Sequence, residues 1–83
     1  MYHLYIIYSN YLDAYYIGYT GDQLKERLRR HNSQHKGFTG KTDDWQIVYT
    51  EGYSYKKEAY ARERQLKSWK SKKRIQSLIE RNS

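Results

Sequence analysis

The sequence predicts a small α+β domain in which helices flank a three-stranded antiparallel sheet, in the order β-β-α-β-α-α. Three short segments are rich in aromatic and β-branched residues and end at turn-forming residues, which is typical of strands. Three other segments repeat their apolar residues every three or four positions, which is typical of amphipathic helices. A chain of 83 residues is short enough that we expect one domain over residues 1–83.

The strands are expected at residues 2–8, 15–19 and 45–51, where Tyr, Ile, Val and Trp are concentrated. Residues 9–14 contain Ser, Asn and Asp and predict a hairpin turn between the first two strands. The polar residues 32–44 predict a loop of about 13 residues, a length that is common in binding loops.

Strand alternation divides the side chains of the hairpin between two faces of the sheet. Leu4 and Ile6 share one face, and Tyr5 lies on the other. On the second strand, Tyr16 and Gly18 lie on the same face as each other. A glycine inside a strand often marks the close approach of another group, so we expect a close contact at Gly18.

The first helix is expected to open after the turn at residues 20–22, where Thr20 or Asp22 can accept a hydrogen bond from an early helical N–H. Its inner face would carry Leu24, Leu28 and His31.

Two further helices follow the third strand. Ser54 is the expected N-cap of a helix at residues 55–68, whose inner face would carry Tyr55, Ala59, Leu66 and Trp69. Ser71 is the expected N-cap of the last helix, whose inner face would carry Ile75, Leu78 and Ile79.

The charge and the tyrosine content indicate the kind of partner that the protein binds. The net charge is +7, and residues 62–83 hold eight Lys and Arg against two Glu. Such an excess favours a polyanionic partner, most plausibly nucleic acid, although a basic surface also keeps small domains soluble. Seven of the eleven tyrosines precede residue 20, and tyrosine suits strands, phosphate contacts and base stacking.

Several classes of site and location are disfavoured. The chain has no Cys and only three His, which argues against disulfides and a structural zinc site. It contains neither a Walker-type phosphate loop nor a nucleophile elbow. The first ten residues lack a basic leader, and their apolar run is too short to span a membrane, so we expect a cytoplasmic protein without membrane contact.

Glu63 stands out because it falls on or beside the apolar face of the second predicted helix. A carboxylate there costs desolvation energy unless it is paired or binds a cation. It could pair with Arg62, Arg64 or Lys67. It could also hold Mg²⁺, which often needs only one or two protein carboxylates.

Four other side chains could act with Glu63 on a phosphate. Arg27 at the sheet edge could clamp a phosphate or be an ordinary surface arginine. His31 could serve as a base or stabilise its helix end. Tyr5 and Tyr16, on adjacent strands, could orient a water or simply pack across the hairpin.

Together these residues resemble the GIY-YIG nuclease superfamily, and more closely its small single-domain bacterial members, which are like the nuclease domain of excinucleases. The second triplet of that family is intact as residues 16–18, Tyr-Ile-Gly. His3-Leu4-Tyr5 occupies the place of the first triplet and keeps only its tyrosine. Arg27 and His31 match the first helix, and Glu63 matches the glutamate of a later helix.

The resemblance implies a metal-dependent endonuclease that acts on the phosphodiester bonds of DNA. Tyr5 would help to activate water, Tyr16 would orient the phosphate or the water, and Arg27 would neutralise the pentacoordinate phosphate. His31 would assist positioning or proton transfer. Glu63 would hold one divalent ion, Mg²⁺ or Mn²⁺.

Besides the first triplet, which has lost its Gly and Ile, the chain departs from the family in two further respects. Many relatives carry a site Asn after the glutamate helix, and the only Asn there is Asn82, near the C-terminus. Most full-length relatives also add a separate DNA-binding domain. Here the substrate would be held by basic residues of this chain or by a protein partner, and the chain would act as a monomer or a weak homodimer. The candidate nucleic-acid contacts are Arg29, Arg30, Lys36, Lys41, Lys70, Lys72, Lys73 and Arg74.

Three functions therefore compete. The leading one is an endonuclease for repair or for processing branched DNA. The alternative is a weak or inactive nucleic-acid-binding module on the same fold, since a fold does not guarantee an activity. The third is a scaffold whose basic last helix binds an acidic protein.

Overall fold

A computed structural model describes residues 1–33 and 37–82 and confirms the predicted fold class and element order. The strands and helices, which include one short 3₁₀ helix in the predicted loop, are β1 Tyr2–Ser9, β2 Ala14–Thr20, α1 Leu24–His31, the 3₁₀ helix Phe38–Lys41, β3 Gln46–Tyr53, α2 Lys56–Ser68 and α3 Lys72–Arg81.

The sheet is antiparallel with strand order β2-β1-β3, so the first strand in the sequence lies at the centre. In this register Tyr5 lies opposite Gly18 of β2 and Thr50 of β3. The run from Leu4 to Ile7 is at most 2 % exposed, because both faces of the central strand are covered. The centre of β1 is therefore the most enclosed position that the sheet offers to a functional side chain.

Each face of the sheet has its own apolar cluster, as the alternation predicts. Helices α2 and α3 cover the face that carries Leu4 and Ile6, and they contribute Leu66, Ile75 and Leu78. Helix α1 covers the opposite face, where the buried members are Tyr5, Ile7 and Trp45 and the half-buried ones include Leu12, Tyr16, Leu24, Leu28 and Ile47. Tyr5 thus belongs to the α1 face.

The start of α1 differs from the prediction. The Thr20 hydroxyl accepts a hydrogen bond from the N–H of Asp22 at 3.0 Å, which lies in the turn before the helix. Gln23 occupies the N-cap position and makes no side-chain capping bond. Thr20 and Asp22 therefore hydrogen-bond to each other within the turn, and neither side chain caps α1.

The prediction for the start of α2 is also corrected. The N-cap is Tyr55, not Ser54, and the N–H of Tyr55 donates to the carboxylate of Glu58 at 3.3 Å. Tyr55 is 68 % exposed, because it lies outside the helix rather than on its inner face. The Ser71 cap of α3 is confirmed, since its hydroxyl accepts from the N–H of Arg74 at 3.2 Å.

The end of the predicted loop is tied to α1 through Asn32. Its amide accepts a hydrogen bond from the N–H of Trp45 at 2.8 Å and donates to the carbonyl of Trp45 at 3.1 Å. The Trp45 indole N–H in turn donates to the carbonyl of Thr39 at 2.9 Å. These bonds hold Thr39, which is buried, against the end of α1.

Within residues 1–33 and 37–82, the helices are all too short or too polar to cross a membrane.

Candidate active site

Tyr5 occupies the centre of the candidate site, and Gly18 makes room for it. A Cβ atom at residue 18 would lie 2.5 Å from the Tyr5 hydroxyl oxygen and 2.6 Å from the ring carbon that bears it. No side chain is compatible with that ring position, so the close contact expected at Gly18 is with Tyr5. The glycine of the Tyr-Ile-Gly triplet lets the phenol lie flat across β2.

Three side chains around the phenol form a continuous hydrogen-bonded chain. Arg27 Nε donates to the Tyr5 hydroxyl at 3.3 Å. The same hydroxyl lies 2.7 Å from Nε2 of His31, and Nδ1 of His31 lies 3.0 Å from the hydroxyl of Thr39. Because Arg27 already donates to the phenol oxygen, we assign the phenol proton to the bond with Nε2 and the imidazole proton to Nδ1.

The phenol is a weak acid in this environment. Burial raises the pKa of Tyr5, and the hydrogen bond and positive charge of Arg27 offset only part of that rise. Tyr5 is therefore protonated at neutral pH. It can accept a proton from a reactant only if it passes its own proton to His31, whose Nε2 is in position to receive it.

The phenol borders a cavity of about 310 Å³, called here the Tyr5 cavity. Its lining combines three tyrosines, an arginine, a lysine, a glutamate and residues at the end of β2 and the start of the β2–α1 turn: Tyr5, Tyr16, Gly18, Tyr19, Thr20, Gly21, Arg27, Lys56 and Glu63. His31 lies behind this wall and is 5 % exposed. Its ring centroid is 5.0 Å from that of Tyr16, so Tyr16 and Tyr5 contact the same imidazole.

Glu63 reaches the Tyr5 cavity from α2, and its side chain is 13 % exposed. Its carboxylate forms an ion pair with Lys67, one turn later, at 3.6 Å. The Lys67 ammonium also lies 5.5 Å from the Tyr16 ring centroid. The other two cations that the sequence places near Glu63 have different partners. Arg62 binds Glu51, and Arg64 donates to Tyr60.

The comparisons with known proteins agree with this geometry. A family model described as the GIY-YIG catalytic domain matches residues 1–76. The chain belongs to the GIY-YIG family. This membership indicates a nuclease, a hydrolase of phosphodiester bonds, and it implies a nucleic-acid substrate. Comparisons with curated proteins and with solved structures gave no significant match.

The donor set of this GIY-YIG site fits one weakly held hard cation. Across the described ranges, no three His, Cys, Asp or Glu side chains come together as a metal cage. Glu63 is the carboxylate in the lining of the Tyr5 cavity. Mg²⁺ is commonly bound by one or two carboxylates together with water and substrate phosphate oxygens, so a single Glu suffices when the substrate is present.

Two of the predicted nucleic-acid contacts, Arg30 and Lys70, line cavities next to the candidate site. Arg30 lines a basic cavity of about 330 Å³ with Arg27 and His31. Lys70 lines one of about 410 Å³ that Tyr16 also borders. Both cavities therefore adjoin the candidate site. Lys41 lies over the Phe38 ring. Lys73 and Arg74, on α3, lie beside Trp69, which precedes that helix.

Other predicted contacts are neutralised or lie elsewhere. Arg29 forms an ion pair with Glu26, and the Lys72 ammonium lies 2.8 Å from the Asp13 carboxylate. Lys36 lies outside the described residues. The amide of Asn82 donates to the carbonyl of Leu78 at the end of α3, and Asn82 does not line the Tyr5 cavity.

Sequence reasoning missed Thr39, Lys56 and Tyr19. Thr39 is eight residues from its partner His31, and no periodicity connects a helix end to a loop threonine. Lys56 is on the first turn of α2, and it borders the Tyr5 cavity only because α2 packs against β2. Tyr19 directly follows the Tyr-Ile-Gly triplet, and that adjacency was the one available signal.

Proposed function

We propose that this chain is a divalent-metal-dependent endonuclease that hydrolyses phosphodiester bonds in DNA. The observation that carries the proposal is the convergence of Tyr5, Arg27 and Glu63 on one cavity of about 310 Å³. A phosphodiester needs a cationic clamp, a route for the proton of the attacking water and a site for a hard cation. These three side chains provide one group for each need.

Arg27 would supply the charge that stabilises the transition state. A guanidinium is always protonated, and the hydrogen bond to Tyr5 uses Nε and leaves both terminal nitrogens for a phosphate. In-line attack adds negative charge to the non-bridging oxygens, and a fixed cation next to them lowers the barrier. Loss of one such preorganised group typically costs about a hundredfold to a thousandfold in kcat.

Tyr5 and His31 would carry the proton away from the attacking water. The phenol oxygen receives the water proton while the phenol proton passes to Nε2 of His31. The bond to Thr39 stabilises the imidazolium that results, because the Nδ1–H keeps an acceptor. His31 thus acts as the base, and Tyr5 transmits the proton from the cavity to a buried histidine.

Glu63 would hold the metal, and Tyr16 would orient the reacting phosphate or water. When bound, Mg²⁺ or Mn²⁺ supplies Lewis-acid stabilisation of the leaving oxygen. The carboxylate must exchange its ion pair with Lys67 for the metal, and the released ammonium is then available to a substrate phosphate. Tyr16 lines the same cavity, and its hydroxyl would donate to a non-bridging oxygen.

The substrate class that we propose is DNA with branches, flaps or damage, in repair or processing. The site is an open cavity rather than a deep groove, and the basic side chains around it are scattered. Such a surface suits a distorted phosphate more than a long straight duplex. We also propose that the chain acts as a monomer or weak homodimer, with specificity supplied by a protein partner.

The test is cleavage of labelled single-stranded, duplex, flap and four-way-junction DNA with Mg²⁺, Mn²⁺ or EDTA. Wild type, Glu63→Gln and Glu80→Gln would be compared, because Glu80 offers the same chemical change on exposed α3. We expect metal-dependent cutting by wild type and Glu80→Gln and none by Glu63→Gln, which should still bind DNA. Salt-sensitive binding with no cutting under any condition would contradict the proposal and favour a binding module.

A further inference from the structure

A second cavity opens next to the Tyr5 cavity and has a different chemical character. It measures about 360 Å³ and is lined by Tyr19, Lys56, Lys57 and Tyr60, and it is called here the Tyr60 cavity. Tyr19 and Lys56 line both cavities, so the two cavities are adjacent and share one wall. Whatever occupies the Tyr60 cavity lies directly beside the proposed reaction site.

The aromatic wall of this cavity is preorganised. The rings of Tyr19 and Tyr60 meet edge to face, with centroids 5.5 Å apart and planes at 63°. The hydroxyl of Tyr60 accepts a hydrogen bond from Arg64 at 3.1 Å, and the Arg64 guanidinium lies 5.7 Å from the ring centroid. The Tyr60 ring is thereby held in place although the residue is 42 % exposed.

The charges around the wall complement a polyanion. Lys56 and Lys57 lie on the first turn of α2 and border the cavity, and Arg64 braces Tyr60 from the next turns. An exposed ring among three cations, with no carboxylate in the cavity lining, matches the stacking platforms of proteins that bind single strands. The cations contact the backbone there, and the ring stacks on a base.

We propose that the Tyr60 cavity binds an unpaired nucleobase next to the scissile phosphate, by stacking on Tyr60. The inference rests on the proposed nuclease function and narrows its substrate to DNA with at least one unpaired nucleotide at the cut. In an intact duplex each base is already stacked on its neighbours. Only a single strand or a flap presents a free base to the cavity.

The test measures binding separately from cleavage. Fluorescence anisotropy in EDTA would give the affinities for a single-stranded oligonucleotide, its fully abasic counterpart and a blunt duplex. The proteins would be wild type, Tyr60→Ala, Tyr60→Phe and Tyr11→Ala. Tyr11 is 79 % exposed on the β1–β2 turn, away from both cavities, and controls for the loss of a surface phenol. Thermal melting would verify that each variant is folded.

We expect Tyr60→Ala to weaken single-strand binding about tenfold, the effect of one base–aromatic stack. Binding of the abasic strand and of the duplex should change less than about twofold, since both keep phosphates but offer no free base. Tyr60→Phe and Tyr11→Ala should bind like wild type. Equal weakening for all three ligands, or no weakening for any, would overturn the stacking proposal.

Failure of the nuclease function would look different. Base-dependent binding that Tyr60→Ala removes, in a protein that cuts nothing, would keep the stacking site and reject the enzyme. Cleavage of single strands and duplex at the same rate, with Tyr60→Ala unchanged, would keep the enzyme and reject the stacking site.

Discussion

The hydroxyl of Tyr5 lies 2.7 Å from Nε2 of His31, although one residue belongs to the sheet and the other to the helix packed on it. Tyr5 is at the centre of the sheet, and His31 is the last residue of α1. Both are at most 5 % exposed, so the bond between them is shielded from water. The candidate site is built outward from this one contact.

Gly18→Ala should disable the site. The new methyl group would lie 2.5 Å from the Tyr5 hydroxyl oxygen, and the ring cannot move without breaking its bonds to His31 and Arg27. We expect cleavage to fall at least a hundredfold and stability to fall by about 1–3 kcal/mol, the usual cost of overpacking. That cost corresponds to roughly 4–8 °C in Tm per kcal/mol for a domain of this size.

Gly52→Ala is the matched control, because its methyl group would meet the flexible Met1 side chain at 3.2 Å rather than a fixed ring. Wild-type cleavage by Gly18→Ala would show that the position of the Tyr5 phenol is unimportant.

Thr39→Val should weaken catalysis without changing substrate affinity. The Thr39 hydroxyl is the acceptor that we assign to the Nδ1–H of His31, at 3.0 Å. Without it the imidazole can adopt the Nε2–H form, which donates to Tyr5 and cannot take its proton. We expect kcat to fall about tenfold to a hundredfold, as for other groups that orient a functional histidine, with KM unchanged.

Nitrogen chemical shifts from NMR would report the His31 tautomer directly. Thr42→Val controls for the loss of a nearby hydroxyl, since Thr42 donates to Asp44 instead. An unchanged tautomer together with a loss of activity would reject the proposed role of Thr39.

Lys67→Gln should strengthen metal binding by the proposed enzyme. The Lys67 ammonium lies 3.6 Å from the Glu63 carboxylate and competes there with a cation. An ion pair with this exposure is worth about 0.2–1 kcal/mol, so the Mg²⁺ concentration for half-maximal cleavage should fall about 1.5-fold to fivefold at saturating DNA. Lys25→Gln on α1 removes the same charge away from the cavity and should leave that concentration unchanged. A higher requirement in Lys67→Gln would assign Lys67 a supporting role instead.

Glu51→Gln should destabilise the fold in a pH-dependent way. The Glu51 carboxylate accepts bonds from Nε and Nη2 of Arg62, at 2.9 and 3.1 Å, and from the Tyr49 and Tyr53 hydroxyls. We expect a loss of about 1–3 kcal/mol at pH 7, the value of hydrogen bonds to a charged group. Because Arg62 directly precedes Glu63, the variant should also loosen α2 at the site.

The sign of the pH dependence follows from the pKa of Glu51. Burial alone would raise this pKa, but the bonds from Arg62, Tyr49 and Tyr53 hold it below its usual range. The stabilisation is therefore complete above the unfolded pKa of about 4.3 and is lost as pH falls through the folded pKa. Thermal melting between pH 7 and pH 3 should show the two proteins converging at the acid end. A constant difference in Tm would argue against an ionised Glu51.

Lys73→Ala should reduce the salt dependence of DNA binding more than Lys72→Ala. The Lys72 ammonium lies 2.8 Å from the Asp13 carboxylate and donates to the Asp13 carbonyl at 2.7 Å, so it releases few counterions. Lys73 lies beside Trp69 and Arg74 on the exposed face of α3. Loss of one phosphate contact should lower the slope of log K against log salt by about 0.9 for duplex DNA. Anisotropy titrations from 50 to 300 mM salt would measure it, and equal slopes would place α3 away from the DNA.

The fold class was predictable because its signals are local. Strand alternation placed Leu4 and Tyr5 on opposite faces, and helical spacing placed Leu66 and Ile75 in the core, as the structure confirms. Caps were harder to predict, since Ser54 and Tyr55 differ by one position, and the structure pairs Tyr55 rather than Ser54 with Glu58 in the capping box.

The site was partly predictable from the sequence. The motif order indicated Tyr5, Tyr16, Arg27, His31 and Glu63, and the strand register of the structure places the first two on one sheet face. Their roles remain predictions. Periodicity determines which face a side chain occupies but not which distant side chain it meets there.

Only the tertiary structure decided which side chains are hydrogen-bond or ion-pair partners. In the structure, Thr39 hydrogen-bonds to His31. Glu63 forms its ion pair with Lys67 rather than Arg62, and Lys72 forms an ion pair with Asp13. The tertiary structure also opened the Tyr60 cavity beside the Tyr5 cavity. Such pairings depend on how helices pack across a sheet, at separations of up to 59 residues between bonded partners. The sequence by itself therefore determined the strands and helices, the buried face of each and the family. Long-range packing determined which polar side chains form hydrogen bonds and ion pairs with one another.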